Sequence, residues 1–297
     1  MLEANSSEAE LRVHFLDVGQ GDAILIISPV GKAVLVDAGP RAGGEVVLEA
    51  MRREGVESLD LVLVSHPHLD HLGGVPAVLE QVPVRFYMDP GYAHGSRAYE
   101  SLLALLEEKQ IPVLTARTGR RINLGGGAVM EILAPPELFS GTRSDANANS
   151  AIARVEYGSF SMLLTGDTEA ETESFLLTLP SIESQILKVP HHGSAHSSAS
   201  GFLRAVSAEV GIVSVGQNSY GHPHPDALQR LEEAGMRVYR TDVHGTVSVT
   251  TDGTSYSIST ERSVSRPRAA ASAAEGEGES ALPRGPPAGR RRASMGD

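Results

Sequence analysis

Within six residues, His66-Pro67-His68-Leu69-Asp70-His71, this chain places four side chains that can donate to a metal ion. The run follows LDLVLV, an apolar stretch of the kind found in strands buried on both faces. It precedes Gly73-Gly74, near which a helix is expected to begin. Histidines two apart can point the same way from an extended strand end, so His66 and His68 are candidates for one cation. Asp70 and His71 follow as the chain turns and can face a second point close by. The two glycines would let the backbone pass close to such a metal pair and enter the helix. The bland alternative, a His-rich surface turn, does not explain four potential ligands packed into a strand–helix junction.

Histidine use elsewhere repeats the theme. Eight of the 11 histidines fall in three short clusters, at 66/68/71, 191/192/196 and 222/224. Cysteine is absent, which excludes disulfides, thiolate nucleophiles and every Cys-based zinc site. Any metal must then be held by histidines and carboxylates. The 297 residues, 41% hydrophobic, suffice for a large core, yet no run approaches the ~20 apolar residues of a membrane-spanning helix. The N-terminus carries Glu3, Glu8 and Glu10 and lacks the apolar segment of a signal peptide. A cytoplasmic location is therefore expected, or an extracytoplasmic one if the chain is a piece of a channel protein. The net charge is −12. Residues 263–297 hold six basic and four acidic side chains, leaving 19 against 33 in the body. An acidic body is a poor footprint for non-specific duplex binding, although bound divalent cations would reverse the sign locally.

Residues 11–261 read as one α/β unit. LRVHFLDV, AILIIS and KAVLVDAG are short β-rich runs separated by turns and predict antiparallel strands. EVVLEAMRRE predicts a helix closed by Gly55. Helical and extended segments then alternate from SRAYESLLALLEEK to MRVYRTD, and GTVSVTT and TSYSIST add two last strands. Strands first and alternation later predict a layered core of sheet on sheet, covered by helices. Residues 1–10 are expected to be a flexible N-terminus. From residue 262 or so the composition turns to Arg, Pro, Ala, Gly, Ser and Glu, a disordered tail by composition.

Three further strand ends are polar. SMLLTGD ends an apolar strand in Asp167, either a helix N-cap or, beside a His/Asp cluster, a carboxylate bridging two cations. LKVPHHGSAHSS offers His191 and His192, one expected as a metal ligand and the other as a neighbouring or substrate contact. Lys188 lies within that buried strand and needs a partner, a phosphate or a carboxylate, unless its ammonium snorkels to the surface. SVGQNSYGHPHP offers His222 for proton donation or substrate binding. His14, His94 and His244 stand alone and default to structural roles.

Together these residues resemble the metallo-β-lactamase superfamily, whose HxHxDH loop is matched by His66, His68, Asp70 and His71. Asp37 in VLVDAG, Asp167 in LLTGD, and His191 or His192 match its other strand-end residues. Within that superfamily the chain is most similar to the ComEC-type hydrolase domain of competence DNA-uptake proteins and its stand-alone relatives. The matching segments include FLDVGQGDAILI, NSAIARVEYGSFSMLLTGD and YRTDVHGTV. The resemblance implies an αββα sandwich, one or two divalent metals (Zn or Mn), and phosphodiester hydrolysis with DNA as the leading substrate. It covers about residues 11–261. The superfamily usually supplies one more histidine between the HxHxDH loop and the bridging Asp. Here SDANANS stands in its place, with Asn149 18 residues before Asp167. A shell richer in oxygen and water shifts selectivity toward Mn or Mg.

The expected arrangement puts His66 and His68 on the first metal and Asp70, His71 and His191 on the second, with Asp167 between them. A hydroxide held by both metals would attack, oriented by Asp70. Lys188, His192 and His222 would contact phosphate oxygens or protonate the leaving alkoxide, Asp37 would steady a histidine from behind, and Asn149 would stand beside the first metal. Three functions fit: a phosphodiesterase or nuclease on single-stranded or duplex DNA, a hydrolase of a small phosphoester or thioester, and a metal-binding interaction module with little turnover.

Overall fold

The computed structural model describes residues 9–263. The expectations of a flexible N-terminus and a disordered tail concern chiefly residues 1–8 and 264–297, which lie outside the described residues. Three antiparallel strands open the chain: β1 (Leu11–Phe15), β2 (Ala23–Ile27) and β3 (Ala33–Ala38). Helix α1 (Gly43–Glu54) ends on Gly55, whose φ of 69° suits glycine at a helix C-terminus. Then come β4 (Leu61–Leu63), α2 (Leu69–Leu72), α3 (Val75–Gln81), β5 (Tyr87–Asp89), α4 (Arg97–Glu108) and β6 (Val113–Thr115). From β3 to β6 the strands run parallel.

A second half repeats the scheme. The hairpin β7 (Arg121–Gly125) and β8 (Ala128–Ala134) leads through α5 (Asp145–Ala148) to β9 (Ile152–Tyr157) and β10 (Phe160–Leu164), all antiparallel. The rest is α6 (Ala170–Leu176), β11 (Ile186–Lys188), a 3-10 turn at Pro190–Gly193, α7 (Ser200–Val206), β12 (Val210–Val213), α8 (Pro225–Glu233) and β13 (Arg237–Arg240). Here β10 to β13 are parallel. After α9 (Thr241–His244), β14 (Val247–Thr251) and β15 (Tyr256–Thr260) return to the first sheet beside β1. The sheets have the orders β15-β14-β1-β2-β3-β4-β5-β6 and β13-β12-β11-β10-β9-β8-β7.

Side-chain alternation separates the layers. On β2, Ile24 and Ile26 join Phe15, Met130, Met162 and Ile212 between the two sheets, while Leu25 and Ile27 face Val47, Leu48 and Met51 of α1. Across the molecule, Leu163 and Leu187 face Leu176, Phe202 and Leu231 of α6, α7 and α8. Strands apolar on both faces therefore force a stack of helices, sheet, sheet, helices, the αββα sandwich expected from the sequence. Among the described residues no helix is long and apolar enough to cross a membrane.

The stack sets where chemistry can sit. Both parallel runs end at one edge, and the loops leaving β3, β4, β10, β11 and β12 meet there, the usual place for sites in such sheets. Gly73 and Gly74 act differently from the sequence expectation. A Cβ on Gly74 would fall 2.2 Å from the Ala38 carbonyl oxygen and 2.5 Å from Gly44 N, so the glycines let the loop pack on the end of β3 and the start of α1. It is Gly21 that lets one loop close on the site, since a Cβ there would meet the Asp70 carbonyl oxygen at 2.2 Å.

Candidate metal centre

The His66–His71 loop is held from behind. Asp37, the penultimate residue of β3, has a φ of 57°, a left-handed conformation that Asp tolerates better than most residues. This turn aims its carboxylate under the loop. Its Oδ1 accepts from Ser65 N and its Oδ2 from Ser65 Oγ, both at 2.7 Å, and Oδ2 lies 2.8 Å from His71 Nδ1. With Nδ1–H donated to Asp37, His71 presents the Nε2 lone pair forward. His192 is oriented in the same way, since its Nδ1 lies 2.8 Å from the Ser214 carbonyl oxygen, which leaves Nε2 free.

Four ligand atoms converge as a result. Asp70, His71, Asp167 and His192 each contribute one, all within 4.8 Å of one another. His71 Nε2 is 3.3 Å and His192 Nε2 is 3.4 Å from Asp167 Oδ1, and His192 Nε2 is 3.4 Å from Asp70 Oδ2. His71 Nε2, His192 Nε2 and Asp167 Oδ1 are buried and have no hydrogen-bond partner. Unpaired polar atoms are expensive in an interior, and three aimed at one point are what a divalent cation would satisfy. The donor set of two imidazoles and two carboxylates fits zinc or manganese.

A second, less complete group stands beside it. His66 Nε2 lies 2.9 Å from His68 Nδ1 and 3.8 Å from Asp167 Oδ2. Asp167 thus turns one oxygen to each pair. His66 Nδ1 lies 3.1 Å from Ser65 Oγ, which fixes this ring too.

Electrostatics separates the two groups. Burial, and next the positive His71, hold His66 well below the ordinary histidine range, and burial lowers His68. Both are neutral at pH 7, with lone pairs available. Burial alone would lower His71 and His192 too, but the carboxylates override it. Asp167, Asp37 and Asp70 raise His71 well above the ordinary value, and Asp167, Asp70 and Asp22 push His192 up to about 9. Burial would raise Asp167 and Asp70 in turn, and the histidine charges hold both below the usual carboxylate range. Without a cation, the protons on His71 and His192 supply the positive charge that the carboxylates demand.

Several sequence expectations need correcting. His192, rather than His191, faces Asp70 and His71. His191 (φ 49°) and His192 (φ 52°) adopt consecutive left-handed conformations that send their rings apart. His191 Nε2 lies 3.6 Å from the other oxygen of Asp167, Oδ2, and its Nδ1 is 3.3 Å from Glu169 Oε1. Of the two partners expected for Lys188, phosphate and carboxylate, the structure gives it the carboxylate: the side chain is wholly buried, and its ammonium contacts Asp22 and donates to the Gly166 carbonyl at 3.0 Å. Asn149, expected beside the first metal, spends its amide on the backbone. It accepts from Phe139 N at 2.8 Å and donates to the Phe139 and Asp145 carbonyls at 2.9 and 2.7 Å. Its neighbour Asn147 reaches the site instead and donates to Glu169. His222 stands at the cleft, its ring 5.3 Å from that of His191, and burial together with the His191 and His192 charges pushes it down to about 4.

Asp22 is the main residue that motif reading missed. It lies 3.5 Å from His192 Nδ1 and 3.7 Å from His71 Nδ1, beneath both rings. Its signal is a carboxylate at the mouth of the apolar strand AILII, where an unpaired charge could not be tolerated. Above the ligands opens a cleft of about 420 Å3, with Gln20, Leu69, His94, Asn147, Tyr220 and His222 among its walls.

The match to the metallo-beta-lactamase superfamily spans residues 16–217, and the chain belongs to that superfamily of hydrolases, whose fold binds divalent metals. It is 29% identical over 261 residues to ComE operon protein 3 of Bacillus subtilis, covering 82% of this chain and 33% of that protein. It is 34% identical over 250 residues to Recombination protein 2 of Haemophilus influenzae, covering 82% and 29%. The chain thus spans about a third of the length of these curated relatives, and the likeness to ComEC-type hydrolase domains holds. Among solved structures, the metallo-beta-lactamase fold protein YhfI of Bacillus subtilis superposes with a TM-score of 0.53 at 14% identity, covering 79% of this chain and 98% of that one. At that identity the likeness concerns the fold.

Proposed function

We propose that this chain is a metal-dependent phosphodiesterase whose substrate is DNA. The observation that carries the reading is the convergence of Asp70, His71, Asp167 and His192 on one point, with Asp167 turning its second oxygen to His66. Two adjacent ligand groups sharing a carboxylate suit a reaction in which attacking and leaving oxygens both need stabilising. A bound divalent cation supplies Lewis acidity there and lowers the pKa of a coordinated water toward ~7.

The chain's own residues do the rest. Asp70, with its side chain 32% exposed, is the most exposed of the four converging ligands, which supports it as the group that orients the attacking water. Asp37 and Asp22 lie beneath His71 and His192 and keep both rings aimed. His222, with a pKa near 4, is neutral at physiological pH. It therefore serves as a hydrogen-bond donor to a phosphate oxygen, not as a store of protons. DNA is favoured by the likeness to a relative named for recombination and to ComEC-type domains. The acidic charge of the chain and a cleft without Lys or Arg among its described lining residues favour the second reading, a small phosphoester.

One assay decides between them. The purified protein, supplied with Mn or Zn, is offered single-stranded DNA, duplex DNA and bis-p-nitrophenyl phosphate, with Asp70→Ala as control. Metal-dependent DNA cleavage lost in the variant is the expected result. Turnover of the chromogenic ester with both DNAs intact would move the assignment to a small phosphoester. Bound metal without any turnover would leave an interaction module.

A further inference from the structure

Tyr220 is 73% exposed, the highest value among the large apolar side chains left exposed in the described residues. It stands on the wall of the cleft that holds the metal ligands. It is not there through looseness of its loop. The Asn218 side chain donates to the carbonyls of Gly216 and His222, each at 2.8 Å, and accepts from the backbone N of Tyr220 and of His222 at 3.0 and 3.1 Å. One amide thus clamps the loop, and Tyr220 is presented outward on a rigid support. Its ring lies 5.8 Å from that of His222 at an interplanar angle of 31°, and His222 lies 5.3 Å from His191. A row of rings therefore leads from the surface to Asp167. Leu69, 52% exposed, lines the same cleft from the start of α2, whereas Tyr220 comes from the loop after β12. The cleft thus has an apolar group from each half of the molecule and no Lys or Arg among its described lining residues.

We infer that Tyr220, with Leu69 at the start of α2 in the other half, is a stacking platform for a nucleobase next to the scissile phosphodiester. The inference rests on the phosphodiesterase reading above and narrows it to single-stranded nucleic acid, in which a base is free to leave its neighbours and lie on the ring. A π-face exists on every base, so the subsite tolerates any sequence. Its affinity comes from stacking, with no Lys or Arg among the described lining residues to pair with phosphates, so the binding depends weakly on salt.

The test compares metal-loaded wild type, Tyr220→Ala and Tyr220→Trp on a short single-stranded oligonucleotide. The same oligonucleotide with abasic sites placed in turn along it is assayed beside it. Fluorescence of 2-aminopurine in the oligonucleotide reads binding to chelator-treated protein, which cannot turn over. Alanine is expected to raise KM by about 10-fold, within the ~5–150-fold that one stacked base is worth, with little change in kcat. Tryptophan should keep wild-type KM, and an abasic site at the sensitive position should erase the difference between Tyr and Ala. The 2-aminopurine quench should vanish in Tyr220→Ala and persist in Tyr220→Trp. Equal KM and equal quench in wild type and Tyr220→Ala would overturn the platform while the phosphodiesterase reading stands. An alanine defect that is the same on intact and abasic strands would also overturn it, as the mark of a structural role. Wild type that hydrolyses bis-p-nitrophenyl phosphate but leaves every oligonucleotide intact would overturn both the platform and the DNA assignment.

Discussion

Replacing Lys188 by Met keeps the length of the side chain and removes its charge, which isolates one interaction beneath the metal ligands. The ammonium is wholly buried and contacts only the Asp22 carboxylate and the Gly166 carbonyl among the polar groups described. In Lys188→Met the Asp22 charge stays in the interior without its main partner. Breaking a buried pair from one side costs about 3–5 kcal/mol, because the remaining charge is uncompensated. For a domain of this size each kcal/mol lowers Tm by ~2–4 °C, so the expected fall is ~6–20 °C. Protonated His192 and His71, at 3.5 and 3.7 Å from Asp22, can take over part of the compensation, which favours the lower half of that range in metal-free protein. The assay is urea unfolding of chelator-treated wild type, Lys188→Met, Asp22→Asn and the double variant, which closes a thermodynamic cycle. If the pair acts as argued, the double variant recovers at least half of what Lys188→Met loses. A loss below ~1 kcal/mol for Lys188→Met, the scale of an exposed ion pair, would refute the reasoning. A double variant no more stable than the single would do so equally.

Other predictions follow from the same geometry. His192→Gln should weaken cation binding by more than the ~10–100-fold typical of losing a supporting hydrogen bond, whereas His191→Gln should leave the Asp70–His71–Asp167 group competent, as isothermal titration would report. Asp167→Asn should lower the metal-to-protein ratio more than either histidine change, since both ligand groups use its carboxylate, and elemental analysis reads this directly. Metal affinity should climb as the pH rises through the range in which His192 titrates, up to about 9. His192, pushed up to about 9, and the raised His71 must both lose protons before their Nε2 atoms can donate, so titrations in buffers of different ionisation enthalpy should reveal protons released on binding. Asn149→Ala should destabilise the fold by about 2–4 kcal/mol through three lost hydrogen bonds while leaving metal stoichiometry unchanged; a drop in bound metal with stability intact would restore it as a ligand.

The layers were legible because periodicity reports burial directly. AILII and LVLV (61–64) are apolar at every position, as in strands covered on both sides, so helices outside the sheets followed at once. The hairpin of β7 and β8 was much harder to read. Its turn runs through Gly125, Gly126 and Gly127, all at positive φ, and both strands mix polar and apolar residues at the edge of the second sheet. Strand β5 is three residues long and owes its existence to pairing with β4 and β6, partners that local sequence does not display. Short strands of this kind are set by tertiary contacts.

The metal centre divides along the same line. Ligands supplied by one continuous loop, His66 to His71, are visible as a motif because their spacing and their geometry are the same fact. Where two neighbours compete, spacing is silent: His191 and His192 are adjacent, and the choice between them is made by what lies behind each ring. The Ser214 carbonyl takes His192 Nδ1 and turns Nε2 toward Asp70 and Asp167, and Ser214 comes from a different strand end, 22 residues further on. Glu169 takes the other ring, from the loop before α6. Asp22 and Lys188 follow the same rule on a longer scale, for they lie 166 positions apart, one buried at the mouth of an apolar strand and the other within one, and each looks like an error until the other is placed beside it. Charges that must be neutralised in pairs are thus a readable signal of contact, even when neither partner belongs to a motif. An acid and a base each stranded in apolar sequence, in different halves of a two-sheet fold, point to the seam where the halves meet, and in this chain that seam is the floor of the candidate metal centre.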